Sequence, residues 1–505
     1  MLILSIIGVI LGLSAELPFG GWLQVPILAI LWSQLRFDQP FSSHTALLRG
    51  YIFGLAYFVI GLWWIYISLH DVGGMSILLS TFSVFALASF MAIYFALANF
   101  IIHYISKKFT ANHFIGLFLA AAWVLAEYLR GQLFTGFPWM SLAENQINGP
   151  FAGLAPYLGG LGCTFFVVLA SWQLLLLFKS KIQIKNGLTQ LIVLFILFLV
   201  PQLLGLHHFT KPYGDPLDVK LIQGNFPISL ELNREAVLKQ ILFYRDVLMN
   251  EKADLIIAPE TAFIWPENQL PIDLINHLQK STSEENRHLL FGVIGNSKDP
   301  NGMPAFSNRA LGLKNNSPIY IYDKSHLVPF GEYIPPGFKW FVDAFQVPMS
   351  NFADGSEKQS PFVIQKNNSP AVSAALTICY EDIFGNELAK RIRHSEKNVH
   401  LLINLTNLAW FGTSQASNQQ LRASQLRTLE TGLPSLRATN TGITAIINAD
   451  GSIAKRLPEF IQGVLDGQVQ PYIGKTLYVL WGDLPIVGLS TLVLCFGLLR
   501  KRPAK

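Results

Sequence analysis

Cysteine is scarce in this chain. Three in 505 residues cannot build a disulfide framework. Two of them, Cys163 and Cys495, fall in long apolar stretches, so the polar segment between holds a single thiol, Cys379. Charge is scarce as well: 14% of residues are charged, against about 25% in an average soluble domain. The net charge of +5 comes from scattered rather than striped basic residues, which excludes a nucleic-acid footprint. No Cys/His spacing suggests a metal, no cofactor motif stands out, and there are no repeats or low-complexity linkers. The opening Met1-Leu2-Ile3-Leu4-Ser5 lacks the basic flank of a cleaved signal peptide.

What the chain has in abundance is apolar sequence, 51% by residue with a mean hydropathy of +0.38. Apolar runs occupy roughly 2–15, 19–34, 50–69, 75–104, 114–129, 152–178, 188–206 and 477–499. A helix needs about 20 residues to cross a bilayer, so about eight spans are expected, the first two being either two spans or a re-entrant pair. Basic residues cluster after the second run (Arg36, Arg49), the fourth (Lys107, Lys108), the sixth (Lys179, Lys181, Lys185) and the last (Arg500, Lys501, Arg502, Lys505). With eight spans all four clusters share one side, the cytoplasmic one. The expected organisation is transmembrane helices over 1–206, an outer domain over 207–476, and a last helix with a basic tail over 477–505. In a bacterium the outer domain would face the periplasm.

Residues 218–468 read as α/β. Strands are expected at Val219–Ile222, Leu255–Ala258, Leu289–Ile294, Ile319–Tyr322, Ala374–Cys379, Leu401–Leu405, Ile443–Asn448 and Gly463–Leu465, and helices at Arg234–Met249 and Ser414–Glu430. Such alternation predicts a sheet-rich domain with helices packed outside. Three chemically active side chains follow strands: Glu260, Lys324 and Cys379. Singly, each has a plain reading as a turn residue, a surface charge or a small core residue.

Their surroundings are more specific. Tyr322-Asp323-Lys324-Ser325-His326-Leu327-Val328-Pro329-Phe330-Gly331-Glu332-Tyr333, Cys379-Tyr380-Glu381-Asp382, Asn404-Leu405-Thr406-Asn407-Leu408-Ala409-Trp410-Phe411-Gly412 and Leu436-Arg437-Ala438-Thr439-Asn440-Thr441-Gly442 resemble motifs of the nitrilase, or carbon–nitrogen hydrolase, superfamily. Glu127-Tyr128-Leu129-Arg130-Gly131, Thr135-Gly136-Phe137-Pro138-Trp139 and Leu154-Ala155-Pro156 resemble its membrane branch, the apolipoprotein N-acyltransferases. Three positions depart from the family pattern: Leu232 where a tryptophan is usual, Leu408 where an aspartate is usual, and Glu144 where a small or aromatic residue is usual.

The resemblance implies an αββα sandwich outside the membrane. It also implies a ping-pong acyl transfer from a phospholipid, through a Cys379 thioester, to the α-amino group of a diacylglyceryl-modified cysteine on an apolipoprotein. Glu260 would shuttle protons, and Lys324 with the backbone N–H of Tyr380 would hold the oxyanion. Glu332 would fix the lysine, and Glu381 would support the turn. Both substrates carry acyl tails, so Trp265 and the aromatic stretch containing Trp340 and Phe341 are candidates for lipid contact, as are Asn404, Trp410 and Phe411. Glu127 and Arg130, spaced i, i+3, could pair on one helix face. A membrane-tethered amidase and a transporter with an inert outer domain are the alternatives. Nothing in the sequence suggests obligate assembly, and a monomer is expected.

Overall fold

In the computed structural model, the described residues are 1–37, 42–109, 114–180, 184–228, 233–299, 302–315, 317–335, 337, 339 and 352–501. Leu232, Trp340 and Phe341 lie outside them, as do Lys181, Arg502 and Lys505 of the basic clusters. The chain divides into two compact units. The first comprises Met1–Tyr66, Ser76–His208 and Trp481–Lys505, and the second Ile67–Met75 and Phe209–Leu480.

The first unit is helical. Its principal helices are Leu2–Ser14, Gly20–Leu35, Ser43–Leu62, Ile77–Ser106, Ile115–Arg130, Ala155–Lys179, Ile184–Gly205 and Leu484–Leu499. Four segments among the described residues are long and apolar enough to cross a membrane: Ser43–Leu62, Ile77–Ser106, Ala152–Lys179 and Gly187–Gly205. Side chains such as Leu78, Leu203 and Leu492 stay exposed, which only a hydrocarbon surrounding makes tolerable. Helices without a hydrophobic drive between them pack where small residues let backbones approach. A Cβ on Gly50 would stand 2.6 Å from the Phe95 carbonyl oxygen, so only glycine allows Ser43–Leu62 to lie this close to Ile77–Ser106.

Two expectations for this unit need correcting. The last apolar run is not one helix from 477. It breaks into Leu477–Trp481 and Leu484–Leu499 at Gly482, whose φ of 60° ends the first piece, and residues to Leu480 belong to the other unit. Glu127 and Arg130, both buried, bond to other partners instead of to each other. The Glu127 carboxylate accepts from Trp123 Nε1 (3.0 Å), Ser141 Oγ (2.8 Å), the Leu142 backbone (3.1 Å) and Thr164 Oγ1 (2.9 Å). Arg130 donates to the carbonyls of Phe137 (2.8 Å), Pro138 and Trp139. A charge at this depth must be satisfied. Here both charges hold the connecting turn in which Phe134, Thr135 and Met140 adopt positive φ.

The second unit is built on two sheets. One runs in the order Gly463–Val469, Leu217–Gln223, Leu255–Ile257, His288–Lys298, Pro304–Leu313, Tyr320–Asp323, with Phe263–Pro266 also paired to His288–Lys298. The other runs Ile453–Arg456, Ala445–Ile447, Ser435–Thr439, Leu401–Thr406, Val372–Ile378, Phe362–Ile364. Three neighbouring strands in each are parallel. Val372–Ile378 and Leu401–Thr406 are buried throughout, as central strands covered on both faces must be. Leu221, Ile257 and Leu290 from the first sheet share one core with Ala374, Ile403 and Leu436 from the second, so the sheets pack face to face. Helices Arg234–Asn250 and Ile272–Glu285 cover the outside of the first sheet through Ile241, Leu274 and Leu278. Helix Gly385–His394 packs Leu388 and Ile392 onto the second, and Ala416–Thr431 lies over Ser435–Thr439. The layers therefore run helix, sheet, sheet, helix.

Candidate active site

Glu260, Lys324 and Cys379 each sit just past the end of a strand, buried throughout for Glu260 and Cys379 and only partly buried for Lys324. Glu260 lies in the turn after Leu255–Ile257. That turn rests on Gly292 of the neighbouring strand, where a Cβ would come within 2.5 Å of the Thr261 nitrogen. Lys324 directly follows Tyr320–Asp323, its backbone N–H donating to the Asn308 carbonyl at 2.8 Å. Cys379 ends Val372–Ile378 and opens a 3₁₀ turn, Cys379–Ile383, with φ at 51°. A left-handed conformation at a non-glycine residue stores strain that the neighbouring structure must impose.

Polar contacts link the charged groups. Lys324, 1% exposed, donates to Glu332 Oε2 at 2.7 Å. Asn308 Nδ2 donates to Glu260 Oε1 at 2.7 Å and to Glu332 Oε1 at 2.8 Å, one amide bridging two carboxylates. The remaining oxygens are held too: Glu260 Oε2 accepts from the Asn407 backbone at 2.7 Å, and Glu332 Oε2 from that of Val328 at 2.8 Å. Cys379 is half-buried as a residue, and its sulfur feels the charges of both Glu260 and Lys324.

The electrostatics follow. Burial raises the Glu260 carboxyl above the usual carboxylate range. Lys324 opposes this, while the like charge of Glu332 adds to it. Burial would also neutralise Lys324, but Glu332, Glu260 and Cys379 outweigh it and hold the ammonium charged. The Cys379 thiol is pushed up to about 12, mainly by burial and then by Glu260, with Lys324 and the Thr406 hydroxyl pulling against them. The resting site thus holds a protonated thiol, a carboxyl of raised basicity and a fixed cation. That combination can transfer a proton as sulfur attacks a carbonyl, and can stabilise the oxyanion that forms.

Of the supporting residues, Glu332 lies inside this chain of contacts. Glu381 lies behind it, accepting from Tyr322 Oη (2.8 Å), Ser325 N (2.8 Å), Ser325 Oγ (2.7 Å) and Ile378 N (2.7 Å). Burial disfavours its charge, yet Arg391 and those donors together hold its carboxyl below the usual range. It ties the lysine segment to the turn that Cys379 opens. Tyr380 is buried, its ring edge-on to Phe384 at 5.1 Å.

The candidates for substrate contact fare differently. Asn404 departs from expectation: it is 1% exposed, and its amide bonds Thr377 Oγ1 (3.0 Å), the Cys379 carbonyl (3.5 Å) and Arg437 (2.9 Å). It lies against the Cys379 backbone, occupied by protein groups. Trp265, a candidate for lipid contact, is half-buried against the core in which its neighbour Phe263 packs edge-on to Phe291. Trp410 is exposed and Phe411 half-buried, on the short turn Ala409–Phe411. Leu408 is buried and packs over Gly442, which explains an apolar residue there. Glu144 is also buried, in the 3₁₀ helix Leu142–Asn148.

Sequence reasoning missed Asn308, Gln420 and the role of Arg437. Asn308 lies mid-strand in Pro304–Leu313, where Phe306-Ser307-Asn308-Arg309 breaks the apolar alternation. That polar interruption was the available signal.

Comparison with known sequences agrees with both units. Residues 7–173 match the family model described as the apolipoprotein N-acyltransferase N-terminal domain, and residues 220–478 match that of carbon-nitrogen hydrolase. A protein of Ralstonia nicotianae named apolipoprotein N-acyltransferase is 34% identical over 96% of this chain and 90% of its own length. Relatives of the same name from Nitrosomonas europaea (35% identical, covering 93% of this chain and 90% of the relative) and Azotobacter vinelandii (34%, covering 97% and 93%) are similar to the same extent.

Proposed function

The chain belongs to the apolipoprotein N-acyltransferase family, and on that premise we propose that Cys379 carries an acyl chain from a phospholipid to the α-amino group of a diacylglyceryl-cysteine at an apolipoprotein N-terminus. Glu260 takes the thiol proton as sulfur attacks the ester carbonyl. Lys324, with the Tyr380 backbone N–H, holds the oxyanion. Collapse breaks the C–O bond, and the proton on Glu260 passes to the departing lysophospholipid alcohol. The incoming amine then attacks the thioester, giving its proton to Glu260, which returns it to the leaving sulfur. Glu332 remains the partner that keeps Lys324 in place.

The observation that carries this reading is the run of buried contacts from Glu260 through Asn308 to Glu332 and Lys324, beside a thiol on a strained strand end. A carboxylate raised by burial suits a proton that must be taken and given back at neutral pH. The helical unit would place the chemistry at a lipid surface, because moving an acyl chain into water costs about 0.8 kcal/mol per methylene. The reading places about eight spans in a bacterial inner membrane, with the α/β unit periplasmic, the clusters of lysine and arginine cytoplasmic, and the protein a monomer.

Mass spectrometry on the detergent-solubilised chain incubated with phosphatidylethanolamine tests it. An acyl adduct on the Cys379 peptide that transfers to an added diacylglyceryl-cysteine peptide is the expected result. No adduct, or an adduct discharged only to water, would overturn transfer, and the second outcome would point to an amidase.

A further inference from the structure

A second polar cluster lies against Cys379. Arg437, in the strand Ser435–Thr439, is wholly enclosed at 0% side-chain exposure. One of its nitrogens donates to Asn404 Oδ1 (2.9 Å) and Ser424 Oγ (3.1 Å), and the other to Gln420 Oε1 (2.9 Å). Its nearest carboxylate, Asp382, stands 3.8 Å away and is itself bonded by Ser424. Gln420, 1% exposed, directs Nε2 to the Cys379 sulfur at 3.9 Å, and Asn404 directs Nδ2 to the Cys379 carbonyl at 3.5 Å.

A guanidinium only donates, so both carboxamides must turn their oxygens toward it. Their NH₂ groups are then forced to face Cys379. We propose that Arg437 is a positioning residue for the nucleophile: it locks the Gln420 and Asn404 amides so that N–H donors meet the thiolate and its backbone, and it holds its own charge one residue behind the sulfur. A relayed dipole stabilises the developing thiolate and leaves it free to attack. The inference rests on the reading of Cys379 as nucleophile.

The test uses the full-length protein in detergent. Iodoacetamide alkylation of Cys379 is followed by peptide mass, together with acyl transfer from phosphatidylethanolamine. In alkylation sulfur displaces iodide and the thiol proton leaves to base, so no lipid is needed. Glu260, Lys324 and Glu332 are the titratable groups that face the sulfur, with Arg437 behind it, and a change at position 420 leaves all four in place. Gln420→Leu is expected to slow alkylation and kcat about 10-fold, with KM within about twofold, and to move the alkylation profile toward higher pH by about one unit. Arg437→Met is expected to lower kcat about 100-fold. Arg437→Lys should not restore it, because one ammonium cannot hold two amide oxygens in a fork. Gln420→Leu alkylating at the wild-type rate with the wild-type profile would overturn the relay, and it decides the matter if the Arg437 variants fail to fold. Full kcat in Arg437→Lys would overturn the locking. No acyl adduct on Cys379 of the wild type incubated with phosphatidylethanolamine would sink the nucleophile itself, and this inference with it.

Discussion

The two sheets contribute to the site in opposite ways. The sheet containing Tyr320–Asp323 supplies full charges: Lys324 paired directly with Glu332, and Glu332 bridged to Glu260 by the Asn308 amide. The sheet containing Val372–Ile378 supplies the sulfur, with neutral amides next to it and its buried cation one step back. The first arrangement settles protonation, because each burial penalty is met by a hydrogen bond or an opposite charge. The second settles geometry, because amide dipoles orient a nucleophile without neutralising it. A site divided in this way should respond differently on its two sides.

The sharpest break comes from the sulfur. Cys379→Ala should reduce acyl transfer about 10³-fold or more while leaving the melting temperature near that of the wild type, since the protonated thiol makes none of the hydrogen bonds that hold Glu260, Glu332 and Lys324. N-terminal acylation of a substrate peptide, followed by mass, measures it. Lys324→Met strikes the charged side and should do both kinds of damage. Activity falls about 10²- to 10³-fold with loss of the oxyanion donor, and stability falls by about 3–5 kcal/mol because two buried carboxylates lose their cation. Denaturant titration alongside the assay separates the two effects.

Asn308→Ala should cost about 10-fold in kcat/KM and move its acid limb to higher pH. The sign follows from Glu260, whose carboxyl is already raised. Removing a donor to the anion raises it further, so the base is lost at a higher pH on acidification. Glu381→Gln should destabilise by about 1–3 kcal/mol. Its folded carboxyl is depressed below the unfolded value, so its stabilisation is present above the unfolded pKa and lost as pH falls through the folded one. Melting curves of wild type and variant should therefore converge on acidification. The smallest effect belongs to Trp410→Leu. An exposed side chain changes stability by no more than about 0.5 kcal/mol, and any consequence should appear in KM for the lipid donor.

Much of this was readable from the chain because strands and polar residues alternate abruptly. Glu260, Lys324 and Cys379 stand out as reactive side chains ending apolar runs, and those runs are strands, fully buried before Glu260 and Cys379 and partly buried before Lys324. The apolar segments of the helical unit announced themselves by composition. What escaped depends on partners distant in sequence. Spacing suggested that Glu127 and Arg130 pair, but hydrogen-bond acceptors and donors in the 131–142 connection and at Thr164 compete for them and win. Arg437 and Gln420 could not be assigned roles, because the direction an amide faces is set by a guanidinium seventeen positions away in one case and thirty-three in the other. The strand Pro304–Leu313 was missed because its site-facing residues are polar, which erases the pattern that marks a strand.

The assignment of Ile67–Met75 to the α/β unit bears on how this enzyme can be dissected. That stretch is threaded between two helices of the other unit, yet its π-helical turn Ser68–Val72 lies by Ala409–Phe411, and Ile67 reaches to where a side chain on Gly412 would be. A soluble fragment cut at Phe209 and Leu480 would lack a piece of its own fold and bare the Trp410 turn. Excision of the catalytic half therefore calls for a circular permutant or a tethered peptide that restores residues 67–75, since trimming the termini cannot.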